Sequence, residues 1–197
     1  RPLLSCRKTA ARCGNGVLMF DYSRVAFAAL LMTAGAAPAV GAGEGAPILG
    51  PDAAVCAHGK SPAILVDITG LSNRNGTVRV RTFGGATSTW FDKTKWQTKV
   101  EIPTPRTEPI RVCMPVAAPG NYAIDVRHDA NANGETDRKD GGGASGNPRV
   151  TVWDFIFGRK PSPKQTAVHV GQGVTEISVT MMYLSGTSLK PLSETKR

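Results

Sequence analysis

The stretch Pro119–Asp140, P-G-N-Y-A-I-D-V-R-H-D-A-N-A-N-G-E-T-D-R-K-D, contains a turn, a strand and an acidic loop in direct succession. The Pro-Gly-Asn at its start is typical of a turn. From Tyr122 to His128, apolar and polar side chains alternate, which predicts a half-buried strand with these two residues on its inward face. A Tyr that follows a turn and bonds backbone through its hydroxyl is a feature of β-sandwich domains.

The loop after this strand carries oxygen-bearing side chains at alternate positions. Counted from its first residue, they fit a twelve-residue calcium loop, with Gly134 at the position of the sharp turn. The predicted ligands are Asp129, Asn131, Asn133, Glu135 (through its carbonyl), Asp137 and Asp140. Because a strand precedes the loop and Asp replaces the usual bidentate Glu at its end, we expect weak structural calcium binding, roughly 10⁻⁴ to 10⁻³ M.

The same residues also allow an interpretation without an ion. Asp129, Asn131 and Asn133 can accept hydrogen bonds from their own backbone as a series of Asx-turns. Arg138 and Lys139 would then partly neutralise the acids. Both interpretations remain open at the level of the sequence.

His128 ends the strand beside this loop, and we expect it to orient the loop by hydrogen bonding rather than to catalyse. A hydrolase arrangement of His128 with Ser145 and either Asp125 or Asp129 would lack the G-x-S-x-G sequence of a nucleophile elbow. No P-loop, dinucleotide fingerprint or H-E-x-x-H occurs either. We therefore expect a protein that is not an enzyme and has no cofactor other than calcium.

Residues 19–42 have the pattern of a secretory signal peptide. Arg24 supplies the positive charge, Val25–Met32 the apolar core and Val40-Gly41-Ala42 a cleavage triplet. The apolar run is shorter than the roughly 20 residues of a transmembrane helix. Residues 1–18 are expected to be an upstream extension or a long n-region. The sequence thus predicts a periplasmic or secreted protein, with no membrane-spanning segment after cleavage near Ala42.

Charge and cysteine content agree with export. From Gly43 onward there are 19 Lys and Arg against 14 Asp and Glu, a net charge of +5, spread without the basic cluster that marks a nucleic-acid surface. The expected partner is an unknown envelope or extracellular protein or a glycan. Cys56 and Cys113 are expected to form one disulfide, since there is no C-x-x-C and no His at metal-ligand spacing.

Period-two alternation continues along the chain. Ala63–Thr69 and Thr77–Phe83 flank the turn dipeptide Asn75-Gly76, which predicts a β-hairpin. Further strands are predicted at Lys99–Ile102, Pro109–Met114, Gln165–Val170 and Glu176–Leu184, with Val150–Phe157 as either strand or helical turn.

No amphipathic helix of convincing length appears between these segments. About seven short strands with Gly, Pro and Asn turns predict an all-β fold, a single antiparallel β-sandwich of immunoglobulin-like or prealbumin-like architecture. We place this domain at residues 56–186, after a flexible leader at 43–55 and before a polar tail at 187–197.

Three aromatic residues, Trp90, Phe91 and Trp96, lie in the long connection before the Lys99–Ile102 strand. Such residues usually cover an end of the core. As an alternative, their flat faces would stack on sugar rings, which would make the protein a carbohydrate-binding module.

Several of these segments resemble motifs of one bacterial exported family, the domain of unknown function 2141. They are Val66–Val80, Pro119–Asp137, Ser145–Pro148 and Ile177–Tyr183. The resemblance implies a small β-sandwich, secreted or periplasmic, without an assigned activity.

Overall fold

The computed structural model describes residues 45–151, 153–154 and 157–192. The predicted signal peptide and the residues before it lie outside the described residues. Within the described part, the strands are β1 Ile48–Leu49, β2 Ala63–Thr69, β3 Thr77–Phe83, β4 Thr98–Pro103, β5 Ile110–Pro115, β6 Gly120–Asp129, β7 Gly141–Ala144, β8 Val168–Val170, β9 Val174–Thr180, β10 Met182–Ser185 and β11 Ser188–Pro191. Two short helices, α1 Ala53–His58 and α2 Pro163–Thr166, and a 3-10 turn at Thr87–Thr89 accompany them.

The strands form two sheets, which confirms the predicted all-β class. One sheet has the order β1-β5-β2-β9, and the other has the order β11-β10-β7-β6-β3-β4, with β8 paired to the first residues of β6. The described part of the chain has no helix of the length and apolar character needed to traverse a bilayer.

The predicted hairpin of β2 and β3 is wrong, because the two strands belong to different sheets. β2 lies between β5 and β9, whereas β3 lies between β4 and β6. The connection Gly70–Gly76 carries the chain from one sheet to the other, and Gly76 packs so closely on β6 that a Cβ there would lie 1.8 Å from the Asp129 carbonyl oxygen. Alternation shows which face of a strand is buried, but not which strand lies beside it.

Pairing is also not antiparallel throughout. β1 runs parallel to β5, and β2 runs parallel to β9. Because the side-chain period of a strand is two in either direction, the sequence pattern carries no information on this point. The first sheet is therefore mixed, whereas the second is antiparallel in every pair that the structure describes.

The predicted strand Glu176–Leu184 is in fact two strands in two sheets. The chain leaves β9 at Met181, which is fully buried and whose amide donates to the Thr69 carbonyl at 2.8 Å. It then enters β10 beside β7. The alternating apolar residues Val179, Met181 and Tyr183 form a buried stripe, with Ile177 half-buried beside the same core, because their side chains still face one core across the break.

Both sheets contribute to that core. Its main cluster includes Ile64, Val66 and Val112 from the first sheet and Val80 and Ile124 from the second, all without solvent exposure. Tyr122 also lies in it and donates its hydroxyl to the Ala118 carbonyl at 2.6 Å, which confirms the predicted role of this tyrosine.

Cys56 of α1 and Cys113 of β5 form the predicted disulfide. It holds α1 on the opposite face of β5 from the main core, in a second cluster with Leu65. The expected flexible leader at 43–55 therefore contains β1 and the start of α1, which are too short to show periodicity. Likewise, Ser188–Pro191 of the expected polar tail forms β11.

Two further segments differ in part from the expectation. Of the strand predicted at Gln165–Val170, only β8 is extended, since Gln165 and Thr166 end α2. In Val150–Phe157, Thr151 forms an isolated bridge with Ser188, and Trp153 and Asp154 are helical.

Candidate functional site

The acidic loop between β6 and β7 is organised around Arg127, the third-last residue of β6. Its Nη2 donates to Asp129 Oδ2 and Asp140 Oδ2, each at 3.1 Å, and to the Glu135 carbonyl. Its Nη1 donates to the Gly134 carbonyl at 3.0 Å. Both carboxylate side chains are almost fully buried, and a single guanidinium pairs with these two inward acids of the loop.

One side-chain oxygen each of Asn131, Asn133 and Asp137 accepts a hydrogen bond from the backbone of the loop. Asn131 Oδ1 accepts from the Asn133 amide at 3.2 Å, and Asn133 Oδ1 accepts from the Glu135 amide at 2.8 Å. Asp137 Oδ1 accepts from the Lys139 amide at 2.7 Å. These are Asx-turns, as the interpretation without an ion predicts.

Three of the six predicted calcium ligands thus converge on one point. Oxygens of Asp129, Glu135 and Asp140 meet at Arg127, whereas the side-chain oxygens of Asn131, Asn133 and Asp137 accept from main-chain amides. The described residues contain no group of three or more acidic, His or Cys side chains arranged to hold a metal. The donor chemistry suits calcium, but a guanidinium lies where the oxygens meet.

Sequence reasoning missed Arg127 and assigned its task to Arg138 and Lys139, both of which are exposed. The spacing of residues in the sequence could nevertheless have identified Arg127. Arg127 and Asp129 are two residues apart on one strand, and residues so spaced share a face.

Arg127 and the surrounding amides also set the ionisation of Asp129. Burial raises the pKa of this carboxyl, but hydrogen bonds from Arg127 and the Gly134 and Asn133 amides, together with the Arg127 charge, lower it by more. The net result is a pKa below the ordinary value of an aspartate. Asp129 therefore remains ionised in the folded protein at any pH near neutral.

His128 is fully buried and ties the turn 71–75, not the acidic loop, to β6. Its Nε2 lies 2.9 Å from the Asn75 carbonyl, which can only accept, so Nε2 carries the proton. Its Nδ1 lies 2.7 Å from Tyr183 Oη and accepts a hydrogen bond from the tyrosine hydroxyl. The predicted loop-orienting role thus falls to the neighbouring Arg127, because alternate residues of β6 point to opposite faces.

Tyr183 of β10 completes this buried network. Its hydroxyl oxygen accepts a hydrogen bond from the Ser72 amide at 3.0 Å, while the hydroxyl donates one to His128 Nδ1. Burial raises the pKa of Tyr183, which keeps the hydroxyl protonated. One phenol therefore joins the turn, β6 and β10.

A cleft of about 500 Å³ separates the turn 71–75 from the acidic loop. We call it the rim cleft. Ser72, Asn73 and Asn75 line it from the turn, and Asn131, Arg138 and Lys139 line it from the loop. Tyr183 also lines the rim cleft, so the buried network of His128 and Tyr183 borders this cleft.

The three aromatic residues considered for sugar stacking do not share an exposed face. Trp90 is 1% exposed and packs with Phe83 and Ala123. Phe91 is half-buried beside Phe83, with ring centroids 5.5 Å apart, while Trp96 is 42% exposed. Trp90 covers one end of the core, as such residues usually do.

Ser145 and His128 do not form a catalytic pair. Ser145 is fully buried, donates its hydroxyl to the Thr166 carbonyl and accepts from the Ile124 amide at 3.1 Å. The hydroxyl thus serves to join β6, the end of β7 and α2.

Fold and site together define a small all-β domain with a disulfide and with an acidic loop, beside a polar cleft, that is held by an arginine of the preceding strand. The chain belongs to the bacterial family described as uncharacterized protein conserved in bacteria, the domain of unknown function 2141, which matches residues 66–178. Neither the comparison with curated proteins nor that with solved structures returned a match.

Proposed function

We propose that this protein is an exported, non-enzymatic accessory domain that binds an envelope or extracellular partner at the rim cleft. The observation that carries the proposal is the cleft itself, about 500 Å³ between two tied segments. His128 and Tyr183 hold the turn, and Arg127 holds the loop. A preformed concave surface on rigid supports loses little entropy when a partner binds.

The absence of catalysis is part of the proposal. The groups that would be candidates for chemistry already have structural partners. Both ring nitrogens of His128 are engaged, and the Ser145 hydroxyl is bonded at both its donor and acceptor sides.

The binding proposal is tested by blocking the cleft. Ser72 is exposed and lines the cleft, so Ser72→Trp places a bulky ring in the opening. The substitution keeps the hydrogen bond from the residue 72 backbone amide to the Tyr183 hydroxyl. The matched control is Ala117→Trp, also exposed, which lies before the start of β6 and thus about 30 Å from the loop at its end. We expect at least one component of a bacterial envelope fraction to be retained by the wild type and the control and lost by Ser72→Trp. Equal retention by all three proteins contradicts the proposal.

Export is supported by the disulfide, which persists in oxidising compartments, and by the signal-like residues 19–42. A fusion of the full chain to a phosphatase reporter that is active only after export tests it. We expect activity that is lost in Leu30→Arg/Leu31→Arg, which interrupts the apolar core. Activity that survives the double substitution would argue against a signal peptide.

We further propose that the two sheets stack as a β-sandwich of immunoglobulin-like or prealbumin-like architecture. The shared cluster of side chains from both sheets supports this arrangement. An experimental structure in which the sheets do not face each other would overturn it.

Calcium is proposed in one form, as an ion that displaces Arg127 and is then held by Asp129, Asp140 and the Glu135 carbonyl. In that case about 5 mM calcium, a concentration above the dissociation constants of extracellular calcium modules, raises the Tm of the full chain over its value in chelator. The rise should be larger in Arg127→Gln, where no guanidinium competes. Magnesium is the matched control. An unchanged Tm in both proteins removes calcium from the account.

A further inference from the structure

The loop is acidic in sequence, but folding buries two of its acids and leaves both of its basic residues exposed. Its two principal acids are turned inward, with Asp129 4% and Asp140 7% exposed, and both contact Arg127. Arg138 and Lys139 are exposed and line the rim cleft. Where the loop lines the rim cleft, it therefore presents basic rather than acidic side chains.

These two cations have no acidic partner within the part of the chain that the structure describes. No carboxylate lines the rim cleft with them. Asp137, which precedes Arg138, is hydrogen-bonded to Asn131 Nδ2 and to the Lys139 amide, each at 2.7 Å. Asp140, which follows Lys139, is paired with Arg127. The charges of Arg138 and Lys139 are thus available to a ligand in the cleft.

We propose that the rim cleft binds an oxyanion, a phosphate or a carboxylate, carried on a small polar molecule of about the size of a monosaccharide. The Arg138 guanidinium offers a planar pair of donors that matches either group, and Lys139 adds a second charge. The volume of the rim cleft exceeds that of a bare phosphate and leaves room, beside the turn 71–75, for the rest of the molecule that carries the oxyanion. This inference rests on the proposed function and names the class of ligand for the same cleft.

Calorimetric titration of the full chain at low ionic strength tests the inference with three probes: glucose 6-phosphate, glucuronate and glucose. We expect at least one of the two anions to bind and glucose not to bind, and the stronger anion identifies the source of the charge. Binding should weaken as salt is added, because exposed charges are screened.

Paired substitutions then locate the site. Arg138→Ala/Lys139→Ala removes two exposed charges, and we expect it to weaken anion binding about tenfold or more, the effect of losing one charge-assisted hydrogen bond. Lys93→Ala/Lys95→Ala removes two exposed charges outside the cleft and should change the affinity less than about twofold. Because all four side chains are exposed, both variants should retain the wild-type circular dichroism.

Two results overturn the inference: neither anion binds more tightly than glucose, or both double variants weaken binding equally. If the anions fail while Ser72→Trp still loses its envelope component, the ligand class is wrong and the proposed function stands. If Ser72→Trp has no effect either, the proposed function fails with it.

Discussion

Tyr183 Oη and His128 Nδ1 meet at 2.7 Å across Gly141, the residue that pairs with both of them in the sheet. A Cβ at Gly141 would lie 2.5 Å from the Tyr183 ring. The absence of a side chain at Gly141 therefore allows a tyrosine on one neighbouring strand to reach a histidine on the other. This contact joins the three strands beneath the rim cleft.

Gly141→Ala should destabilise the protein by about 1–3 kcal/mol, because the added methyl forces the Tyr183 ring away from His128. Gly142→Ala is the matched control, since a Cβ at that position meets nothing within 4 Å. Urea unfolding of both variants measures the difference. Equal free energies of unfolding would show that the ring moves aside without cost.

Tyr183→Phe should cost about 1–3 kcal/mol, because it leaves the His128 nitrogen and the Ser72 amide without their partner. Tyr122→Phe, the other buried tyrosine of the core, loses a bond to one carbonyl and should cost about 1 kcal/mol. The two variants are compared by the same unfolding experiment. The interpretation of Tyr183 as a junction is wrong if its substitution costs no more than that of Tyr122.

Stability should fall in acid through Asp129. Its pKa is lowered on folding, so its contribution is complete above the ordinary value of 3.8 and is lost as the pH falls through 3.8 towards the folded value. The free energy of unfolding of the wild type should therefore approach that of Asp129→Asn between about pH 6 and about pH 3. In Arg127→Gln this pH dependence should be weaker, because the ion pair is gone. If the difference in free energy of unfolding between the wild type and Asp129→Asn stays constant over this pH range, Asp129 is not the source of the loss of stability in acid.

Reduction of the Cys56–Cys113 disulfide should lower the free energy of unfolding by about 4 kcal/mol in the chain-entropy model, given a separation of 57 residues. Comparison of the oxidised and reduced protein in urea keeps both side chains in place. Cys56→Ala/Cys113→Ala should match the reduced form. Identical midpoints before and after reduction would show that α1 is held by its apolar contacts instead.

The sequence predicted most strands because alternation records which face of each is buried, as in Tyr122–His128. It failed for β7, since Gly141–Ala144 has no large side chains and glycine is depleted in strands. It failed again at Met181, where the apolar stripe continues while the backbone changes sheets. An apolar stripe shows that its residues face the same core, but not that they belong to the same strand.

In the candidate site, the sequence identified the oxygen-bearing residues of the loop, but it did not identify Arg127 as the cation that contacts them. Asx-turns follow from local spacing, so Asn131 and Asn133 behave as their neighbours predict. The convergence of Asp129 and Asp140 on Arg127 depends on how the loop closes between β6 and β7.

By itself, the sequence determined the all-β class, the disulfide partners and the turn-forming chemistry of the loop, because these follow from residue type and local spacing. Only the tertiary structure decided that β2 and β3 lie in different sheets, that Tyr183 reaches His128 and that the acidic loop exposes its basic residues. These features arise from contacts between residues distant in the chain. Local pattern cannot encode such contacts, because the same alternation is compatible with several partners for each strand.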